Sequence, residues 1–314
     1  MHNLKRFYDQ NRKGIWMAII IIASIFILLQ LLNYFARKNN EKELSNSVNI
    51  EEININEKTN TNVNLKSSTS AITGESVSSK NLNTATETIE KFINFCNEKN
   101  LDEAYNMLTE ECKNEMYTSV NIFEQAYYNN VFNGEEKSCN IENWTGDIYK
   151  VNIVGDMLAT GKSNNGYTKQ DYMTIKKEGN DYKLNINNYI GYQKIDKSTK
   201  RDNIEITVVG KNTYMDNEQY IIKVTNGSQN DISLDGLRDV KSLYLQDSKG
   251  AKYSADTHEL TQPTLKVQAG HTKEVTIKFY SNYVSNKNIN YIVFSDMIVY
   301  SGQGSERKEF KADA

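Results

Sequence analysis

The sequence is poor in the residue types on which protein chemistry most often depends, with three histidines and one proline among 314 residues. The histidines are His2, His258 and His271, so none lies between residues 3 and 257. Histidine is the usual general base near neutral pH and the commonest metal ligand. Its absence removes histidine-dependent catalysis and histidine-bound zinc from that long stretch.

Cysteine is also scarce, with Cys96, Cys112 and Cys139 as the three examples. No two of them have the Cys-x-x-Cys spacing of a metal or redox motif. A disulfide between Cys96 and Cys112 is an alternative, because adjacent helices can bring two Cα atoms within about 7 Å. Buried free thiols are the favoured interpretation, since a free cysteine packs as a small apolar side chain.

The chain has no excess of positive charge, because 37 Lys and Arg stand against 40 Asp and Glu. A net charge of −3 does not indicate the basic surface that binds nucleic acid phosphates. Five aspartates between residues 202 and 247 do not fall into the D-x-D-x-D-G pattern of a calcium loop; they are Asp202, Asp231, Asp235, Asp239 and Asp247. We therefore predict no nucleic-acid partner, no metal and no cofactor.

One long apolar run is present, residues 15–36, "IWMAIIIIASIFILLQLLNYFA", without a charged residue. About 20 apolar residues span a membrane as a helix, so we predict a transmembrane helix here. A cleaved signal peptide is the alternative, but its apolar core would be shorter. Basic residues before the run favour a cytoplasmic tail at 1–14. The predicted location is the cell membrane, as a single-pass protein with its later domains outside.

Residues 37–81 contain no aromatic residue and are rich in Asn, Ser, Thr, Glu and Lys. Such a composition cannot bury enough apolar surface to offset the entropy of ordering. We predict a disordered linker, with a short strand at Ile50, Ile53 and Ile55 as the alternative.

The apolar pattern of residues 82–198 predicts helices followed by strands. Ala85, Ile89, Phe92, Ile93 and Cys96 follow the 3.6-residue period and predict a helix over 84–99. Two further helical stretches follow, one carrying Leu101, Ala104, Tyr105, Leu108 and Cys112 and one carrying Val120, Phe123, Tyr127 and Val131. The period then changes to two, in the strand patterns Tyr149-Val151-Ile153, Met173-Ile175 and Tyr182-Leu184-Ile186.

Three helices and then a curled antiparallel sheet, opened by "TIEKFINFCNEKNLDEAYNMLTEEC", resemble the nuclear-transport-factor-like and ketosteroid-isomerase-like superfamily. The resemblance implies an α+β cone over 82–198. Members of that superfamily are enzymes, ligand binders or interaction modules, so the fold alone does not select a function.

Residues 199–314 contain short β-rich runs separated by turns, among them "EQYIIKVTN" and "INYIVFSDMIVY". This spacing predicts a β-sandwich of about seven strands. The pattern Asn226-Gly-Ser, then Leu245 to Tyr253, then Gly270 before "VTIKF" resembles immunoglobulin-like modules of unknown function in envelope proteins of Gram-positive bacteria. The predicted fold class is thus multidomain, with one transmembrane helix, an α+β cone and an all-β immunoglobulin-like sandwich.

Candidate pocket residues in the predicted cone are Tyr105, Tyr127 and Tyr149, with Asp147 as an acid near them in sequence. Isomerase chemistry of the resembled family would need an acid facing hydroxyl donors inside an apolar cavity. Nothing in the spacing unites these four residues, and an aromatic residue on a periodic apolar stripe is more often core. We therefore predict no catalytic residue.

The predicted function is a non-catalytic, membrane-anchored protein-interaction or scaffold protein of the bacterial cell envelope, with a protein partner outside the membrane. One alternative is a binder or sensor of a small apolar ligand in the pocket of the cone. A second alternative is a subunit of a conjugation or secretion machine, because such subunits can also have a short inner tail, one membrane span and a cone-shaped outer domain. A third is an isomerase or hydrolase.

Overall fold

The computed structural model describes four parts of the chain, residues 64–65, 78–155, 168–302 and 304–314. All of them belong to one compact unit, Asn60–Ala314. Strands hold 50% of these residues and helices 21%. The described protein is therefore built mainly of antiparallel β-sheet.

Most of the helices precede residue 132, and only the first of these is long. Their bounds are α1 Ser79–Asn97, α2 Leu101–Asn106, α3 Glu110–Met116, α4 Val120–Phe123, a π-helical turn Glu124–Tyr128, α5 Asn129–Val131 and α6 Gln262–Leu265.

The second predicted helix is divided because its middle residues bond to a strand. The Leu184 N–H donates to Met107 O at 2.9 Å, and the Thr109 N–H donates to Leu184 O at 3.0 Å. Thr109 then caps α3, since its hydroxyl accepts from the Cys112 N–H at 3.0 Å. A capping residue inside an apolar period starts a new helix, so α2 and α3 are separate.

The strands follow one another along the chain with short turns. Their bounds are β1 Asn64–Leu65, β2 Lys137–Thr145, β3 Ile148–Gly155, β4 Thr168–Glu178, β5 Asp181–Asn185, β6 Tyr189–Arg201, β7 Ile204–Tyr214, β8 Glu218–Asn226, β9 Ile232–Ser233, β10 Leu243–Asp247, β11 Lys252–Ser254, β12 Lys266–Val267, β13 Thr272–Phe279, β14 Ile289–Ser301 and β15 Gly304–Asp313.

The first sheet has the order β1-β2-β3-β4-β5, with β1 parallel to β2 and the other pairs antiparallel. The helices before residue 132 pack on it and share one apolar core with it. Alternate residues of β3 face this core, as the period of two predicts: Tyr149, Val151 and Ile153 are each at most 2% exposed.

The second region contains two further sheets. One has the order β13-β8-β7-β6, and the other has the order β11-β10-β14-β9-β12 with β15 paired to β14. Residues from both, such as Ile222 and Phe294, belong to one buried cluster. This region is therefore a sandwich of two antiparallel sheets.

A polar seam joins the two cores where α3 meets β6 and β7. Glu115 accepts hydrogen bonds from Asn212 Nδ2 at 2.6 Å and from the Tyr214 hydroxyl at 2.7 Å. Glu111 accepts from Asn185 Nδ2 at 2.7 Å and pairs with Lys176. Two carboxylates of α3 thus bind residues of β4, β5 and β7.

The predicted fold class is wrong. The described residues show no cone of three helices over a curled sheet, but one long helix, several short helices and a mainly antiparallel β structure. The physical reason is the pairing of residues 107–109 with β5, together with the caps at Thr109 and Ser119 that start new helices. The family resemblances stay predictions.

The predicted transmembrane helix and the single-pass location in the cell membrane are corrected as well. Among the described residues, no helix is long and apolar enough to cross a membrane. The segment 15–36 that prompted both predictions lies outside the described residues.

The predicted domain boundaries at 1–14, 15–36, 37–81, 82–198 and 199–314 stay predictions. The tail and the alternative strand at Ile50–Ile55 lie outside the described residues. Within the predicted linker, Asn64 and Leu65 pair with Asn140 and Ile141 of β2.

All three cysteines are free thiols buried in the first core, as the favoured interpretation predicted. Burial raises the pKa of Cys112 and of Cys139 to about 12, and raises the pKa of Cys96 well above its ordinary value. In the unfolded chain a thiol has a pKa of about 8.5. The thiols therefore stabilise the fold fully below that pKa and progressively less as the pH rises towards the folded value.

We expect alkaline destabilisation of about 2 kcal/mol per thiol between about pH 8 and about pH 10, because only the unfolded chain ionises there. Urea denaturation at both pH values should show that Cys139→Ala loses about 2 kcal/mol less than the parent over this interval. Val284→Ala, at a 58% exposed position, should keep the parent's pH dependence. Equal losses in the parent and Cys139→Ala would contradict the prediction.

Candidate functional site

The space between the helices and the first sheet is filled by packed aromatic rings. Phe92, Tyr117, Phe123 and Tyr127 are each at most 1% exposed. The centroid distances between the rings in contact run from 5.6 to 6.2 Å. This aromatic cluster therefore fills the interior between the helices and the first sheet.

The three candidate tyrosines take different positions around this core. Tyr105 contacts Phe123 at a centroid distance of 6.2 Å, and its hydroxyl donates to Tyr117 O at 2.8 Å. Tyr127 belongs to the aromatic cluster, whereas Tyr149 lies on β3 opposite Met173. The structure thus brings Tyr105 and Tyr127 together around Phe123. Tyr127 and Tyr149 belong to the apolar core, and Tyr105 packs against it.

A buried carboxylate lies beside the aromatic cluster, on β4. Asp171 is 0% exposed and accepts three hydrogen bonds, from the Tyr127 hydroxyl at 3.0 Å and from the N–H groups of Asn187 and Asn188 at 3.0 and 2.9 Å. Burial raises the pKa of Asp171, and the two backbone donors oppose that rise. Sequence reasoning missed this residue, although the period of two places it on the same face as Met173.

The three donors indicate a structural role for Asp171. Asn187 and Asn188 both have positive φ angles, 58° and 65°, in the left-handed region that costs most residues energy. The carboxylate holds this turn between β5 and β6 in place. The other candidate acid, Asp147, is exposed in the turn between β2 and β3.

An open groove of about 390 Å³ lies on the outer surface of the first region. We name it the α1–β5 groove, and it is lined by Glu87, Thr88, Lys91, Phe95, Glu103, Asn106, Met107, Asn180, Asp181, Tyr182 and Lys183. One wall is α1, the other is the turn into β5, and the end of α2 closes the floor. None of the three candidate tyrosines lines it.

Tyr182 is the most exposed aromatic side chain of the groove. The strand pattern Tyr182-Leu184-Ile186 predicted that it faces the core, but it is 42% exposed whereas Leu184 is 0% exposed. The reason is its position one residue after the start of β5, where the strand leaves the turn at Gly179–Asn180. Partly buried Phe95 and buried Met107 extend the apolar surface beside it.

Metal ligands do not converge anywhere in the described residues: no group of three His, Cys, Asp or Glu side chains could hold an ion there. Comparisons of the chain with protein-family models, with curated proteins and with solved structures found no match. The function must therefore be argued from the geometry of the molecule itself.

Proposed function

We propose that the chain is a non-catalytic protein-binding protein and that its partner docks in the α1–β5 groove. The observation that carries this proposal is the exposed ring of Tyr182 in an open groove with Phe95 and Met107 beside it. Tyrosine supplies a large apolar contact with a polar tip, which is why it is enriched at protein interfaces.

The chemistry of the interior supports binding rather than catalysis. The buried acid of the first core, Asp171, is committed to three donors, and the aromatic cluster fills the space around it. A general base needs access to a substrate proton. The described residues offer no observation that favours the small apolar ligand, because packed side chains fill the interior between the helices and the first sheet.

A photo-crosslinking amino acid placed at Tyr182 of the full chain tests the proposal in the cells that make the protein. We expect a discrete covalent adduct with one protein, and an adduct of the same mass from the exposed position Lys91 on the opposite wall. Tyr291, which is 37% exposed on β14, provides the matched control and should give none. Absence of the adduct at both groove positions, or equal adducts at all three, would reject the groove as the partner site.

A further inference from the structure

The two lysines of the α1–β5 groove are already engaged by the protein. Lys183 Nζ donates a hydrogen bond to Asn106 O at the end of α2. Lys91 Nζ lies 5.6 Å from the centroid of the Phe95 ring, within the range of a cation–π contact. Both ammonium groups therefore contact the wall of the groove, and neither forms an ion pair with a described carboxylate.

The three carboxylates of the groove form no ion pair with a described lysine or arginine. Glu87, Glu103 and Asp181 come from α1, α2 and β5, and all three are exposed. Their negative charges therefore point into the groove without a neutralising partner.

The charge of Glu87 also acts on a neighbouring carboxylate of α1. The pKa of Glu90, which follows the groove residues Glu87 and Thr88 on α1, is raised by burial and also by the negative charge of Glu87. A positive group entering the groove would relieve that repulsion. Complementary potentials of this kind select a partner and speed its association.

We infer that the partner enters the α1–β5 groove as a segment with an apolar side chain flanked by lysine or arginine. The apolar side chain would lie against Phe95, Met107 and Tyr182, and the basic side chains would meet Glu87, Glu103 and Asp181. This inference rests on the proposed function and names the chemistry of the partner. An acidic segment would face three like charges in the same place.

Two labelled peptides and the full 314-residue chain test the inference by fluorescence anisotropy. The first peptide has a central leucine flanked by lysine and arginine, and the second has glutamate in place of each basic residue. We expect the first to bind and the second not to bind. Raising the salt from about 0.1 M to about 1 M, which shortens the Debye length from about 10 Å to about 3 Å, should weaken binding at least tenfold.

The substitution Glu103→Gln with Asp181→Asn should weaken binding of the basic peptide about tenfold, since it removes two of the three opposing charges. Glu274→Gln with Glu306→Gln removes two exposed charges outside the groove and should leave binding unchanged. Equal binding of both peptides, no binding of the basic one, or equal effects of the two double variants would overturn the inference.

Sequencing the partner segment crosslinked at residue 182 separates this inference from the proposed function. A segment rich in lysine and arginine supports both. A neutral or acidic segment overturns the inference while protein binding in the groove stands, and absence of an adduct rejects the function itself. Self-association of the chain that the groove double variant abolishes would also overturn it, because a second copy would then be the occupant.

Discussion

Replacement of Asp171 by alanine is expected to destabilise the folded protein by about 3–5 kcal/mol, because it leaves one buried donor and two half-buried donors without an acceptor. The donors are the Tyr127 hydroxyl and the N–H groups of Asn187 and Asn188. The two asparagines would also have to keep positive φ angles without the group that holds them. Urea denaturation followed by tryptophan fluorescence measures the change.

Two controls make this result interpretable. Tyr127→Phe keeps the ring and removes one donor, so it should cost only about 1 kcal/mol. Asp147→Ala removes an exposed acid of the neighbouring turn and should change the free energy of unfolding by less than about 0.5 kcal/mol. A cost below about 1 kcal/mol for Asp171→Ala would contradict a structural role for this carboxylate.

The pH dependence of the Asp171 effect has a defined sign. Burial raises the folded pKa of Asp171 above that of the unfolded chain. The part of its stabilisation that comes from the raised pKa is therefore fully present below the unfolded pKa of about 3.9 and is lost as the pH rises through the folded pKa, whereas the three hydrogen bonds remain. Asp171→Asn does not titrate, so its deficit relative to the parent should be largest in acid and should shrink towards neutral pH.

Some strands of the sandwich could be predicted from the sequence, because local runs of β-forming residues mark them. The run "EQYIIKVTN" coincides with β8, and "INYIVFSDMIVY" covers all but the last residue of β14. Helix α1 was also predicted, although Ser78 starts it earlier than the apolar period suggested. Local pattern is sufficient where one face of an element is buried along its whole length.

The break after α2 could not be predicted, because it depends on a contact between residues distant in sequence. Leu108 pairs with Leu184 of β5, and no local period reveals this partner. The α1–β5 groove has the same origin, since Glu87, Glu103 and Asp181 meet only after the fold has formed. Each of them alone is an ordinary exposed acid in the sequence.

Replacement of Glu218 by alanine is the second change for which we expect a loss of about 3–5 kcal/mol, because it leaves two largely buried lysines uncompensated. Glu218 lies at the start of β8 with its side chain 2% exposed, between Lys211 at 2.9 Å and Lys287 at 3.6 Å. The Ser281 hydroxyl donates to the same carboxylate at 3.1 Å. Burial already lowers the pKa of Lys287, whereas Glu218 opposes that change.

The matched control is Glu309→Ala, which breaks the exposed pair between Glu309 and Lys311 and should cost less than about 1 kcal/mol.

A third variant separates the value of the ion pairs from the penalty of breaking them. Replacing Glu218, Lys211 and Lys287 together by methionine should recover most of the loss, because apolar side chains carry no charge that must be desolvated. If Glu218→Ala costs no more than the exposed control, Glu218 does not stabilise the buried charges of Lys211 and Lys287. If the triple variant is as unstable as Glu218→Ala, packing rather than the two stranded lysines accounts for the loss.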